Sequence, residues 1–334
     1  MGINWVGIIF GLGSIISFGY WTTDFLVVQR VLSANNLRAA KMAPIIGAAF
    51  KMAVPLIVIV PGLIALAVLK NPDGSVMHLV AGDVVKAHPG MGLHAYDEVL
   101  PLMLIRYCGP GLLGLGITAL VAGFMSGMAG NVSAFSTVWT YDIYGAYMNK
   151  KASDKHYVFM GRLSTVVGML ISIGTAYLVM NAASIMDYVQ ALFSFFIAPL
   201  FGTVILGMLW KRATNAGGFL GLLAGTGSSI GMFLYTSTGT AAHKAHALSV
   251  VALSPDAQPM AENMFRALWS WIICVLVTVL VSYATKPKTD AELSGLVYGA
   301  TVIPDDGATT IWQKPIFWAG IVSVVFIALN VIFF

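Results

Sequence analysis

Apolar residues run along this chain in stretches of about 20 or more, parted by shorter polar segments, and within each run no face of a helix would be polar. About 20 such residues, rising 1.5 Å each, cross a hydrocarbon core roughly 30 Å thick. The pattern predicts eight spans, at about 5–31, 43–69, 111–144, 158–179, 185–210, 216–236, 264–283 and 316–334. Pro44, Pro55, Pro61 and Pro199 fall inside them. Membrane helices tolerate such interruptions, because neighbouring helices can satisfy the freed backbone groups. A membrane β-barrel would instead alternate apolar and polar positions over segments of about ten residues. Between the spans, segments 70–110 and 237–263 read as long outer loops. Segment 284–314, with Pro287, Pro304, Asp305, Asp306 and Gly307, reads as a flexible connector.

Composition narrows the class. The 334 residues are 58% apolar and 10% charged, whereas a soluble domain is about 25% charged. A water-exposed surface cannot be built from so few charges. A net charge of +4 spread over the chain makes no basic patch, so nucleic acid is not an expected partner; the lipid bilayer is. Cys108 and Cys274 provide neither a disulfide framework nor a metal cluster. Twelve basic residues cluster at one set of span ends (Arg30, Arg38, Lys41, Lys150, Lys151, Lys155, Arg162, Lys211, Arg212, Lys286, Lys288, Lys314) and five at the other (Lys70, Lys86, Arg106, Lys244, Arg266). The twelve belong in the cytoplasm. With an even number of spans, both termini are then expected outside the cell's inner (plasma) membrane. Met1-Gly2-Ile3-Asn4 leads straight into an apolar run without a signal peptide, which reads as a piece of a longer protein.

Three features could carry chemistry. In the first run, Gly11, Gly13, Ser14, Ser17 and Gly19 precede Tyr20-Trp21-Thr22-Thr23-Asp24, and apolar residues resume at Phe25. Polar groups at membrane depth face a cavity or a partner, and a discontinuous helix is a way for transporters to present backbone groups to a solute. The bland alternative is a glycine-rich helix packed closely on its neighbours. Lys51, eight residues into the second run, lies about 12 Å from its start. It could pair with Asp24 or hydrogen-bond a polar solute. The third run carries the small-xxx-small pairs Gly123/Gly127 and Ser126/Gly130, so close packing is expected there. It continues through Asn131 and then Ser133, Ser136, Thr137 and Thr140, hydroxyls suited to a hard monovalent cation or to bonding their own i−4 carbonyls. Other matches carry nothing. The GxGxxG match at Gly109–Gly114 has no βαβ context, and Asn131-Val132-Ser133 sits inside a span. His243 with His246, and the outer-loop His78, His88 and His94 near Asp83, Asp97 and Glu98, make no defensible metal site.

Four blocks then resemble one family. Tyr20 through Leu32, Ala49-Phe50-Lys51-Met52-Ala53-Val54-Pro55 with Pro61-Gly62, Phe135 through Tyr144, and Gln190 through Pro199 to Arg212 run in its order. The chain resembles the sodium/solute symporter family, in its sodium/glucose cotransporter branch. The resemblance implies an all-α integral membrane fold of two inverted five-helix repeats with extra helices. Residues 1–210 would be the second repeat and 211–334 three accessory helices, the first repeat being absent. It also implies roles. Tyr20, with Trp21 beside it, would gate the inner side; Tyr20, Lys51 and Gln190 would contact a sugar. Ser17 stands where the family has an asparagine. Ser126 matches the first of two adjacent sodium-binding hydroxyls, Gly127 takes the place of the second, and a carbonyl near Gly123 matches a further ligand. Losing that hydroxyl weakens the expected Na⁺ site by about 1 kcal/mol or more.

The expected function is therefore part of a sodium-coupled symporter importing a monosaccharide by alternating access. Its partners would be the sugar, Na⁺ as coupling ion, the bilayer and the missing N-terminal half, with no other cofactor. It is not an enzyme. The alternatives are a solute sensor on the same scaffold, a symporter for another small polar solute, and a membrane-embedded enzyme or accessory subunit.

Overall fold

The computed structural model describes residues 5–68, 99–179, 184–301, 307 and 310–333. Every regular element among them is helical. Helix α1 is Gly7–Thr23, followed by α2, Phe25–Leu32. Helices α3, Leu37–Lys51, and α4, Val54–Val68, come next, then α5, Val99–Tyr107, and α6, Pro110–Met148. Helix α7 is Asp154–Val179, α8 Ile185–Leu209 and α9 Asn215–Ser237. The chain continues with α10, Ala241–Val251, α11, Pro259–Ala284, α12, Asp290–Leu293, and α13, Pro315–Phe333. Among the described residues, seven helical stretches are long and apolar enough to cross a membrane, and α1 is a shorter apolar helix. Their outer faces carry Leu, Ile, Val and Phe, as in α13, where Ile316 is 79% exposed. Water would not tolerate such continuous apolar faces, and lipid chains match them. This is a multi-pass membrane protein.

Local chemistry sets the ends of the helices. Thr214 caps α9, its hydroxyl accepting from the Gly217 N–H at 3.1 Å, and Thr240 caps α10 through the His243 N–H. Pro110 and Pro259 open α6 and α11, positions where a missing N–H costs nothing. Because Pro259 opens it, α11 begins five residues before the 264 expected from hydropathy. Two segments read as loops are partly ordered. The outer segment 237–263 contains α10, whose Ala247, Leu248 and Val251 are buried, and Val251 O accepts from Trp269 Nε1 at 3.0 Å. The connector after 284 forms α12 behind a Thr289/Glu292 capping box. It buries Leu293 and Val297 and bonds Tyr298 N–H to Met208 O at 2.8 Å. The first outer loop, read as 70–110, also contains a helix, α5 at Val99–Tyr107, while its residues 70–98, with His78, Asp83, His88, His94, Asp97 and Glu98, lie outside the described residues.

The chain forms two compact units, one of residues 1–40 with 186–309, the other of 41–185 with 310–334. In the first, α8, α9, α11 and α1 pack together around Ile15, Ile16, Ala198, Phe201 and Ala267. A seam of small residues lets α9 and α11 approach. A Cβ on Gly217 would lie 2.2 Å from Ser282 Oγ, on Gly221 1.9 Å from Thr278 Oγ1, and on Gly225 2.8 Å from Cys274 Cβ. Both series advance four residues at a time, one helical turn, as close membrane packing requires. On α6, where the same packing was expected, a Cβ on Gly123 or Gly127 meets nothing within 4 Å. In the second unit α6 packs on α7, α4 on α5 and α5 on α6.

Candidate functional site

The polar break expected in the first span is present and sits at one residue. Asp24, at φ −71° and ψ 115°, is extended between α1 and α2. Its Oδ1 accepts from the Leu26 N–H at 2.8 Å, so the carboxylate caps α2. Before the break, Gly7–Ile16 of α1 is π-helical. Ser14 and Ser17 donate to Ile9 O and Leu12 O, each five residues back, at 2.9 and 2.8 Å. Those bonds follow the i−5 register of a π-helix. Thr22 and Thr23 donate to Phe18 O and Gly19 O, both at 2.7 Å. Most hydroxyls around the break thus bind their own helix.

Tyr20 and Trp21 are half-buried at the end of α1, with their rings edge to face at 6.5 Å. Tyr20 also lies 6.0 Å from the ring of Phe193 on α8. Gly19 makes this approach possible, since a Cβ there would stand 2.7 Å from Ile197. Phe193 opens another π-helical stretch, Phe193–Ile197, inside α8. One turn before it is Gln190, only 6% exposed, and its Oε1 is buried with no hydrogen-bond partner among the described residues. A buried acceptor left empty costs about 1–3 kcal/mol, so native structures keep few such atoms without a functional reason. Ser17, Tyr20, Trp21, Asp24 and Gln190 all belong to the first unit.

The remaining sequence candidates belong to the second unit. Lys51 is the last residue of α3, exposed, at a turn over Met52 and Ala53. Pro55 has no N–H to offer the Lys51 carbonyl four residues earlier, and so the rod breaks there. On α6, Gly123 and Ser126 are exposed and the Gly127 carbonyl accepts from Asn131 Nδ2 at 3.0 Å. Of the hydroxyl stripe, Thr137 bonds back to Ser133 O. Ser136 reaches across to Gly161 O on α7 at 2.8 Å.

One buried group escaped the sequence reading. Arg266 was counted among charges at an outer helix end, yet it is 1% exposed inside the first unit. Glu262, Asn263 and Arg266, one turn apart behind Pro259, are the signal that could have found it.

A broken apolar helix thus lies against a second helix that buries a carboxamide oxygen with no partner among the described residues. The sodium:solute symporter family model matches residues 1–225, and the chain belongs to that family. Its members are transporters and not enzymes. Sodium/glucose cotransporter 1 of Oryctolagus cuniculus is 28% identical over 302 residues, covering 89% of this chain and 44% of its own length. Sodium/glucose cotransporter 4 of Homo sapiens is 28% identical over 299 residues, with shares of 89% and 42%. Sodium/myo-inositol cotransporter 2 of Oryctolagus cuniculus is 29% identical over 306 residues, with shares of 89% and 43%. The chain thus spans less than half the length of the curated relatives it matches.

Proposed function

We propose that this chain is part of a sodium-coupled symporter that imports a monosaccharide or a related cyclic polyol by alternating access. The observation that carries this is the Gln190 carboxamide, enclosed in the first unit with an acceptor unanswered. A polyol hydroxyl is the natural donor to it. Tyr20, packed on Phe193 one turn away, serves as the gate, with Trp21 beside it and Ser17 on the same helix. Lys51 supplies a second polar contact for the solute. Ser126, with carbonyls at Gly123 and Gly127, supplies oxygens for Na⁺. The two inverted repeats, with residues 1–210 forming the second, remain part of this proposal. So do a plasma-membrane location with both termini outside, and completion of the solute and ion sites by helices matching the part of the relatives that this chain does not span.

Ion and solute each couple to transport through their different affinities for the outward- and inward-facing states. Uptake of labelled glucose, galactose and myo-inositol into vesicles, with and without an inward Na⁺ gradient, tests the reading. Sodium-driven uptake is expected when the N-terminal portion of such a relative is co-expressed, with Gln190→Ala raising the half-saturation concentration about tenfold or more. Uptake indifferent to Gln190→Ala would sink it. Gly127, which offers no side-chain oxygen, favours one second reading, a sensor that binds solute without moving it. Saturable binding without flux under any gradient would select that reading.

A further inference from the structure

Helix α11 carries the Arg266 guanidinium into the interior of the first unit, and a buried ion is tolerated there only when paired and hydrogen-bonded. Nη1 donates to Glu262 Oε1 at 3.1 Å, Nη2 donates to Asn263 Oδ1, and Nε donates to Ser194 Oγ at 3.3 Å. The guanidinium carbon also lies 5.1 and 5.0 Å from the ring centroids of Phe195 and Phe233. The Thr236 hydroxyl donates to the same Glu262 oxygen at 2.6 Å. Charge compensation is thus handled within α11, and the donors left over reach to α8.

Where they reach is specific. Ser194 and Phe195 are in the π-helical stretch of α8. The Ser194 carbonyl accepts from Ser229 Oγ at 2.9 Å and from Ser270 Oγ at 3.2 Å. On the other side, Asn263 Nδ2 donates to the Asp187 carbonyl at 3.0 Å. Gln190 stands between these two grips, three residues after one and four before the other. The Ser194 carbonyl takes these two hydroxyls because the Ala198 N–H goes to Phe193 O and Pro199, next in the π register, has no N–H to give; the Arg266 and Asn263 bonds to α8 come in addition to that repair. A π-helical stretch shifts the bonding register by one residue, which is where a rod can change its rotation.

We infer that Arg266, with Glu262 and Asn263, is a positioning residue for Gln190, fixing the rotation of α8 about its π-helical stretch so that the carboxamide holds one orientation. This rests on the reading of Gln190 as a solute contact. The test measures equilibrium binding of tritiated glucose in sodium buffer to the purified, detergent-solubilised protein co-expressed with the N-terminal portion of such a relative. The variants are Arg266→Met, Gln190→Ala and the two combined, with hydrogen exchange of the 187–198 amides followed in parallel. Arg266→Met is expected to weaken binding about tenfold, to speed exchange across 187–198, and to add nothing in the Gln190→Ala background, as coupled residues do. Equal weakening in both backgrounds would mean general destabilisation and would overturn the inference. Unchanged exchange would overturn it too, whatever the glucose result. Should Gln190→Ala bind as tightly as the unaltered protein, the solute reading of Gln190 falls, and the positioning role with it, while the exchange data still report the grip separately. If Arg266→Met does not fold, Arg266→Met with Glu262→Gln removes both charges together and carries the same comparison.

Discussion

Asp24 sits at the break in the first span, and its carboxylate is explained by a local bond, the cap on α2. Asp24→Ala is expected to cost about 1 kcal/mol and Asp24→Asn much less, since asparagine caps as well as aspartate. Thermal midpoints of the purified protein check the pair. In the connector after α11, the Thr289 N–H and hydroxyl both bond Glu292 Oε2, at 2.9 and 3.0 Å. These bonds, the backbone one first, hold the Glu292 carboxyl below its ordinary range. The capping box is therefore intact above the ordinary glutamate range and is lost as pH falls through the lowered value. Carboxyl-labelled NMR should place the Glu292 midpoint below that of glutamate in an unstructured peptide, and a midpoint at the ordinary value would deny the cap. Sequence identified Asp24 as a polar residue in an apolar run, and Gln190 through the family resemblance. The Asp24 cap is a bond to Leu26 two residues on, whereas the burial of the Gln190 oxygen without a partner among the described residues depends on helices remote along the chain, which no local pattern shows.

Helices were legible wherever apolar runs were long, and their relationships were not. Small-xxx-small spacing marks a face that another helix can approach without saying which helix arrives. It was recognised on α6, whereas the tight contact forms at Gly217, Gly221 and Gly225 of α9. Gly225→Val is expected to lower stability by about 1–3 kcal/mol through overpacking. A Cβ there already meets Pro199 at 2.6 Å and Ser270 O at 2.9 Å. Gly227→Ala on the same helix meets nothing within 4 Å and should leave the melting temperature unchanged or slightly raised. A loss equal to that at Gly225 would show that glycine content, and not the seam, is what matters. The π-helical stretches Gly7–Ile16 and Phe193–Ile197 were invisible to hydropathy, because one extra residue per turn leaves an all-apolar run all-apolar.

At the scale of the molecule, the expected orientation rests on charge alone and can be tested directly. In a background lacking Cys108 and Cys274, a cysteine at Lys151, between α6 and α7, should react with a membrane-impermeant maleimide only after permeabilisation. One at Thr238, between α9 and α10, should react in intact cells. Reversed labelling would reverse the topology expected from the basic residues. The outer-loop histidines of segment 70–98 fall outside the described residues, and any part they play is open to the same labelling approach.

Hydropathy and charge determined the class, the number of long apolar runs and the family, since these depend on composition summed over about 20 positions and on short ordered blocks. Tertiary structure decided which polar groups are answered. It placed Arg266 in the interior, although two residues from the helix start expected at 264 a basic side chain reads as an end charge, and it left the Gln190 oxygen without a partner among the described residues. Burial and hydrogen bonding are properties of the assembled neighbours, and no single segment contains them.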